Sequence, residues 1–271
     1  MTSSNGSQLD GFALVLGASS GFGAATSVAL AKAGMNVIGV HLDRRATMPA
    51  VEQVVRDIEA AGREAWFFNV NASDEGKRRE VLETVRARFA ERGKGESVRV
   101  LLHSLAFGTL KPYAADTDEA AITKMNMDMT LDVMAHSLVY WTQDTRRRAL
   151  FAKNARIFAM TSWGSRAVWK GYGAVSAAKC ALESHIRQLA AELAPEGITA
   201  NAIMAGVTDT PALRKIPGNE DMMKVALARN PSGRLTRPED VASAIVALSH
   251  AGAHWITGNV IQVDGGEAIA G

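Results

Sequence analysis

The sequence predicts an α/β protein in which helices cover both faces of a doubly wound parallel sheet of about seven strands. Two observations indicate this fold class. Short apolar runs alternate with longer stretches of helical composition along the chain, which indicates parallel strands joined by helical crossovers. The first apolar run also ends at a glycine-rich turn that opens a helix, a context typical of dinucleotide binding.

Each predicted strand is a short apolar run bounded by polar residues or glycine. These runs occupy residues 12–16, 36–40, 65–68, 98–102, 156–160, 198–203 and 260–263. Helical composition covers residues 24–33, 49–61, 74–92, 118–151 and 172–194. No repeat or linker divides the chain, so we expect one domain over residues 9–271, preceded by a disordered polar tail at residues 1–8.

Composition argues against several classes of function. The chain has 271 residues, 47% of them hydrophobic, and a formal net charge of +2, which is too small to favour nucleic acid binding. The single cysteine, Cys180, excludes an intrachain disulfide, and we expect it to be a small packing residue in a cytoplasmic protein. There is no apolar run of about 18 residues and no His/Cys cluster with metal-ligand spacing, so we expect neither a membrane span nor a metal site.

The glycine-rich turn has the spacing G-x3-G-x-G, formed by Gly17, Gly21 and Gly23. Glycines let the backbone approach a pyrophosphate closely, and the following helix N-terminus offers free N–H groups and a positive dipole end. A turn of this kind without a ligand is the alternative. The turn therefore predicts a Rossmann fold, with cofactor contacts also from Ser19, Ser20 and Phe22.

The end of the second predicted strand bears on the choice of nicotinamide cofactor. An acidic residue there favours the free 2′-hydroxyl of NAD, whereas arginine favours the 2′-phosphate of NADP. His41 occupies the strand end, and Asp43, Arg44 and Arg45 follow it. We expect NADPH to bind through Arg44 or Arg45, while Asp43 keeps NADH open. The alternative is that these charges only solvate a loop.

Tyr172 and Lys179 stand seven residues apart in the last long predicted helix. Seven residues nearly complete two helical turns, so the two side chains could share one face, about 10 Å apart along the axis. A nearby ammonium favours the ionised form of a phenol and suits it to proton transfer near neutral pH. A buried tyrosine and a solvated lysine on an ordinary helix are the alternative.

Together these motifs resemble the short-chain dehydrogenase/reductase family over residues 11–266. Further matching segments are Asn69-Val70 after the third strand, the stretch 206–208, and Val-Asp-Gly-Gly at 263–266. The resemblance implies that Lys179 binds the nicotinamide ribose. It also implies adenine contacts from Asn69 and Val70 and carboxamide-side contacts from Gly206, Val207 and Thr208.

Most members of that family place tyrosine four residues before lysine, where this chain has Val175. The seven-residue spacing resembles the enoyl-[acyl carrier protein] reductase branch. The stretch at 205–213, with Pro217 and Glu220-Asp221 after it, is especially similar to the NADPH-dependent, triclosan-tolerant type of that branch. His103-Ser104-Leu-Ala106, in place of the common Asn-Asn-Ala-Gly, also resembles that branch. The likeness implies that Ser104 and Ala106 contact the cofactor and that the protein is a homotetramer. We expect His103 to bond a backbone carbonyl.

Two positions depart from the family pattern. Ser162 lies ten residues before Tyr172, where many enoyl reductases have a second tyrosine. Its hydroxyl either binds the substrate carbonyl or caps a turn. The family's helix asparagine falls near Asn126 or Asp128, and the alignment favours Asp128, which puts the usual proton-relay asparagine in doubt.

The resemblance implies reduction of an enoyl thioester of acyl carrier protein or CoA in fatty acid biosynthesis, with Tyr172, Lys179 and Ser162 as catalytic residues. We expect a substrate lid over residues 207–230 and Trp163 and Trp169 at the border of the acyl slot. A carbonyl reductase acting on 3-oxoacyl, ketone or polyketide substrates is the first alternative. A non-catalytic dinucleotide sensor is the second. Apolar side chains expected in the lid are Leu213, Ile216, Met222 and Met223.

Overall fold

Seven parallel strands form one sheet in the order β3-β2-β1-β4-β5-β6-β7, which confirms the predicted fold class. The computed structural model describes residues 8–93 and 95–270. The predicted tail at 1–8 lies, apart from Gln8, outside these residues. The strands are β1 (Phe12–Leu16), β2 (Asn36–His41), β3 (Ala65–Asn69), β4 (Val98–His103), β5 (Phe151–Ser162), β6 (Thr199–Ala205) and β7 (Val260–Val263).

Eight α-helices within the described residues connect and cover the strands. None of them is long and apolar enough to cross a membrane. Their bounds are α1 (Gly21–Lys32), α2 (Met48–Ala60), α3 (Glu75–Arg92), α4 (Lys124–Leu131), α5 (Ser137–Arg147), α6 (Gly173–Leu193), α7 (Asn219–Arg229) and α8 (Pro238–Ser249).

The single helix predicted over residues 118–151 is wrong. Thr123 ends the preceding loop with a capping box that starts α4, and a π-helical turn at Asp132–His136 separates α4 from α5. The last helix of this region ends at Arg147, and β5 begins at Phe151. Helix α8 was not predicted, and α7 lies inside the predicted lid.

Two hydrophobic layers hold the helices to the sheet. All five residues of β1 are fully buried because helices cover both faces. Side chains alternate along the strand, so Leu14 packs in the layer with Leu182 of α6, and Val15 packs in the layer with Val241 of α8. Leu101 lies in the α6 layer, so His103, two residues later, faces the same side.

The strand order reverses between β1 and β4, which makes a crevice beyond their carboxyl ends. The turn after β1 begins at Gly17. On the β2 side, the Gly17 N–H donates to the Val40 carbonyl oxygen at 2.8 Å. On the other side, the Ser104 N–H after β4 donates to the Leu16 carbonyl oxygen at 2.8 Å. The topology therefore brings the glycine-rich turn and the segment after β4 to one site.

We predict that Gly23→Ala destabilises the fold. A Cβ atom at Gly23 would overlap the Gly17 carbonyl oxygen, so the backbone of the turn has to shift. We expect a loss of about 1–3 kcal/mol in the free energy of unfolding, measured by denaturant titration. Gly252→Ala is the matched control, since a Cβ there meets no atom within 4 Å. Equal stability of the two variants would contradict the close contact.

Candidate active site

The glycine-rich turn has the geometry of an anion cradle. Gly17 has φ +89°, and a Cβ there would lie 2.6 Å from the Ser104 carbonyl oxygen. Helix α1 begins at Gly21, with no acidic residue in its first turn and no side-chain bond from its N-cap Ser20. The first N–H groups of the helix are therefore available to an anion. The residues present fit a dinucleotide pyrophosphate.

A threonine that was not predicted as a site residue closes this cradle. Thr210 is buried, and its Cγ2 lies 3.5 Å from the position of a Cβ on Gly21. We had placed the contacts of this segment at Gly206, Val207 and Thr208. The only available signal was a second threonine two residues after Thr208, and spacing alone does not reveal that a distant loop folds over the turn.

The segment 206–208 is held from the C-terminal side of the chain. The Thr208 hydroxyl donates to the Gly206 carbonyl oxygen at 2.9 Å, and the Val207 N–H donates to a carboxylate oxygen of Glu267 at 3.1 Å. Burial raises the pKa of the Glu267 carboxyl, while the Val207 N–H opposes that rise. Glu267 was not predicted as a site residue. It accepts a hydrogen bond from the Val207 N–H, the group that we expect to bind the nicotinamide carboxamide.

The corner beside β2 contains an acid and a histidine in contact. His41 is buried, and its Nδ1 lies 3.0 Å from Oδ2 of Asp43. Burial raises the pKa of Asp43, but hydrogen bonds from Ser19, Thr47 and His41 outweigh it and leave the pKa lowered. The carboxylate therefore stays ionised next to the glycine-rich turn.

Asn69 and Val70 fix the loop that carries this acid. The Asn69 side chain donates to the Asp43 carbonyl oxygen at 2.9 Å and accepts from the Asp43 N–H at 3.0 Å, and the Val70 N–H donates to the His41 carbonyl oxygen at 2.8 Å. Their contact with adenine stays a prediction. Arg44 and Arg45 are exposed beyond the loop, and within the described residues neither forms an ion pair.

The two candidate catalytic hydroxyls lie together at the carboxyl edge of the sheet. Tyr172 is the residue immediately before α6, and its hydroxyl donates to Oγ of Ser162, the last residue of β5, at 3.4 Å. The Ser162 oxygen also accepts from the Gly164 N–H at 3.1 Å, so it caps the turn that follows β5. A single carbonyl oxygen could receive both hydroxyls in this arrangement.

Burial, not Lys179, dominates the titration of Tyr172. We had expected the ammonium to favour the ionised phenol. Instead, burial raises the Tyr172 pKa, and the hydrogen bond to Ser162 only partly offsets this rise. The phenol therefore stays protonated at neutral pH and can donate a hydrogen bond.

Lys179 is buried beneath the same edge. Its Nζ donates to the Met160 carbonyl oxygen at 2.8 Å, which leaves two N–H groups for another partner. Burial lowers its pKa to about 8, and the negative charge of Glu183 opposes that decrease. The ammonium is thus charged at neutral pH, and its contact with a ribose hydroxyl stays a prediction.

We expected His103 to bond a backbone carbonyl, but its side-chain hydrogen bond within the described residues is to the Ser137 hydroxyl. The Ser137 hydroxyl donates to the Val133 carbonyl oxygen, so His103 Nε2, 2.8 Å from that hydroxyl, must be the donor. Burial, followed by the charge of Lys179, lowers the His103 pKa to about 3. The imidazole is therefore neutral and fixed in one tautomer.

Neither candidate for the helix asparagine faces the catalytic pair. The Asn126 side chain caps α4 through Thr123, and exposed Asp128 is paired with Lys124. Cys180 is exposed, not buried, and its thiol donates to the Ser165 carbonyl oxygen at 3.2 Å. No three His, Cys, Asp or Glu side chains are grouped to hold a metal ion in residues 8–93 and 95–270.

The segment predicted as a lid contacts the loop between Ser162 and Tyr172. Trp169 lies between Ser162 and Tyr172 in sequence, and its indole N–H donates to the Pro217 carbonyl oxygen at 3.1 Å. Its ring also lies 3.4 Å from the position of a Cβ on Gly218. Of the predicted lid side chains, one is buried and three are partly buried: Leu213, Ile216, Met222 and Met223.

Comparison with known proteins identifies the family of the chain. A protein-family model described as "Enoyl-(Acyl carrier protein) reductase" matches residues 17–267. The 3-oxoacyl-[acyl-carrier-protein] reductase FabG of Escherichia coli is 30% identical over 94% of this chain and 96% of its own. The NADH enoyl-[acyl-carrier-protein] reductase FabI of Aquifex aeolicus is 30% identical over 68% of this chain and 67% of its own.

Among solved structures, a promiscuous reductase that catalyses keto-reduction in lugdunomycin biosynthesis superposes with a TM-score of 0.81 and 28% identity. The alignment covers 97% of this chain and 100% of that one. Relatives that reduce double bonds and relatives that reduce carbonyls thus match at similar identity. The family match, the glycine cradle and the Tyr172–Lys179 pair lead to one conclusion: the chain belongs to the short-chain dehydrogenase/reductase family and is an NAD(P)H-dependent oxidoreductase.

Proposed function

We propose that this protein reduces the double bond of enoyl thioesters, carried by acyl carrier protein or CoA, in fatty acid biosynthesis. The observation that carries the proposal is the position of the phenol. Tyr172 is seven residues before Lys179, and its hydroxyl lies 3.4 Å from Ser162. Position 175, where most of the family has its tyrosine, is a buried valine. The match to the enoyl reductase family model supports the same reaction.

The chemistry needs a donor at the thioester oxygen. Hydride addition to the β-carbon of an enoyl thioester moves negative charge onto that oxygen as an enolate, and a proton from solvent then adds to the α-carbon to give the saturated thioester. The Tyr172 hydroxyl, protonated because its pKa is raised, donates a hydrogen bond to it, and Ser162 offers a second donor. A nicotinamide in the crevice supplies the hydride when bound. Lys179 orients its ribose through the N–H groups that Met160 does not use.

The substrate slot lies between the lid and the loop after β5. Apolar side chains of the lid and the Trp169 ring supply the wall that an acyl chain requires. Methionines at 222 and 223 adapt to chains of different length. We also propose a homotetramer that uses residues 255–269, in support of which Trp255 and Ile269 are 88% and 83% exposed.

A carbonyl reductase is the second candidate, and a specific observation favours it. Ser162 supplies a hydroxyl beside that of Tyr172, and a ketone oxygen could bind both. Many enoyl reductases have a second tyrosine at the position of Ser162. In that reaction the hydride goes to the carbonyl carbon, and Tyr172 gives its proton to the oxygen.

We predict that crotonyl or longer enoyl thioesters oxidise NADPH or NADH in the presence of the protein, measured at 340 nm. Tyr172→Phe should lower kcat by about 100- to 1000-fold, because it removes the donor to the developing oxyanion. Tyr140→Phe on α5 is the matched control and should retain native activity. Cofactor consumption with ketones alone would favour the second candidate, and none with any enoyl chain length would refute the first.

We predict that NADPH binds more tightly than NADH, measured by fluorescence titration. Exposed Arg44 and Arg45 can pair with a 2′-phosphate, so replacing both with alanine should weaken NADPH binding about tenfold and leave NADH binding unchanged. Asp43→Asn should strengthen NADPH binding because it removes a repelling charge. Arg56→Ala on α2 is the control. Tighter binding of NADH by the native protein would reverse the assignment.

A further inference from the structure

Glu183 is a partly buried carboxylate of α6 that the proposed mechanism does not use. One of its oxygens, Oε1, accepts two hydrogen bonds. The Thr161 hydroxyl donates to it at 2.6 Å and the Ser165 hydroxyl donates at 2.8 Å. Thr161 comes just before Ser162, and Ser165 ends the turn that follows β5. A single carboxylate oxygen therefore connects both ends of the turn that bears the catalytic serine.

This turn is also the surface on which the catalytic phenol rests. Gly164 lies against the Tyr172 ring so closely that a Cβ there would overlap ring atom Cε1. Ser162 Oγ receives the Gly164 N–H and the Tyr172 hydroxyl. A displacement of the turn would therefore move both hydroxyls that face the substrate oxygen. Such an error in position reduces catalysis even when every catalytic group is present.

Glu183 is also one helical turn after Lys179, a spacing that makes side chains neighbours on the helix surface. The charged and titratable groups around the ammonium come from several elements. Tyr172 precedes it on the same helix and is a neutral phenol, and His103 faces it from β4 as a neutral imidazole. Glu183 is the group whose charge opposes the effect of burial on the ammonium.

We propose that Glu183 is a positioning residue that fixes the Ser162–Gly164 turn beneath the Tyr172 ring and supplies the negative charge opposite the Lys179 ammonium. Both tasks follow from one side chain, because Glu183 accepts hydrogen bonds from Thr161 and Ser165 at the two ends of the turn and lies one helical turn after Lys179. Its role in catalysis rests on the proposed function, whereas its effect on the charge of Lys179 does not.

Glu183→Gln tests the charge while keeping a side chain of the same shape and an acceptor oxygen for the two hydroxyls. Loss of the negative charge disfavours the ammonium, so the pKa of Lys179 should fall from about 8 by about one unit. The alkaline limb of the pH–rate profile should move down by the same amount, and turnover should recover in mildly acidic buffer. The direct measurement is an NMR titration of ¹⁵N-labelled lysine, with Lys179→Arg to assign the signal.

Two further variants complete the experiment. Glu192→Gln makes the same change at an exposed position of the same helix and should leave the titration and the profile native. Thr161→Val combined with Ser165→Ala keeps the charge and removes both donors. The Lys179 titration should then stay native while kcat falls about 10- to 100-fold at every pH. This double variant also tests the turn if Glu183→Gln does not fold.

A native lysine titration in Glu183→Gln would overturn the electrostatic role, and native kcat in the double variant would overturn the positioning role. The titration needs no substrate. If the native protein reduces no enoyl thioester, the proposed function fails while the assignment of Glu183 is still measured.

Discussion

A buried ammonium is the constraint on which the candidate site at the carboxyl edge of the sheet is built. Lys179 lies under the carboxyl ends of β4 and β5. In place of water, its ammonium has a hydrogen bond to the Met160 carbonyl oxygen, and the negative charge of Glu183 favours its charged form. A buried cation is costly unless polar groups surround it. That requirement helps to explain the neutral His103, the carboxylate on the next helical turn and the short link to the strand backbone. Of these groups, the Glu183 carboxylate also accepts hydrogen bonds from Thr161 and Ser165, on either side of the turn that follows Ser162.

Burial affects the two titratable groups of the site differently: the Lys179 side chain is charged at neutral pH, and the Tyr172 phenol is neutral. Lys179 keeps its proton at neutral pH although burial lowers its pKa to about 8, and Tyr172 keeps its proton because burial raises a pKa that already lies above neutral pH. A protonated phenol and an ammonium can act at different points of one reaction, the first at a substrate oxygen and the second at a ribose. At the sheet edge both Tyr172 and Lys179 therefore keep their protons at neutral pH, and each can donate a hydrogen bond.

Most of the fold could be predicted from the sequence because local apolar patterns determine where the strands and helices lie. The run at β1 is apolar at every position, as a strand buried on both faces requires, and its predicted bounds are those observed. Strand β5 was predicted too short because Lys153 and Asn154 interrupt its apolar pattern, and Asn154 has φ +61°. The helix predicted over 118–151 failed because composition does not show the π-helical turn or the cap at Thr123.

The residues of the candidate site that stand at characteristic sequence intervals could be predicted. Those that reach it only through tertiary contacts could not. The glycine turn and the Tyr172–Lys179 pair are read from residue intervals. Thr210, Glu267 and Glu183 contact the site through loops and a helix face, which intervals do not specify. Burial of Tyr172 belongs to the same class, and it reversed the expected direction of the pKa.

The destination of the hydride tests the central claim most directly. The protein can be given NADPH deuterated at the transferable position together with crotonyl and acetoacetyl thioesters in equal amounts, and the products analysed by NMR. We expect deuterium at the β-carbon of a saturated butyryl thioester. Deuterium found only at the hydroxyl-bearing carbon of a 3-hydroxybutyryl thioester would show that the tyrosine serves a carbonyl reductase and would contradict the account.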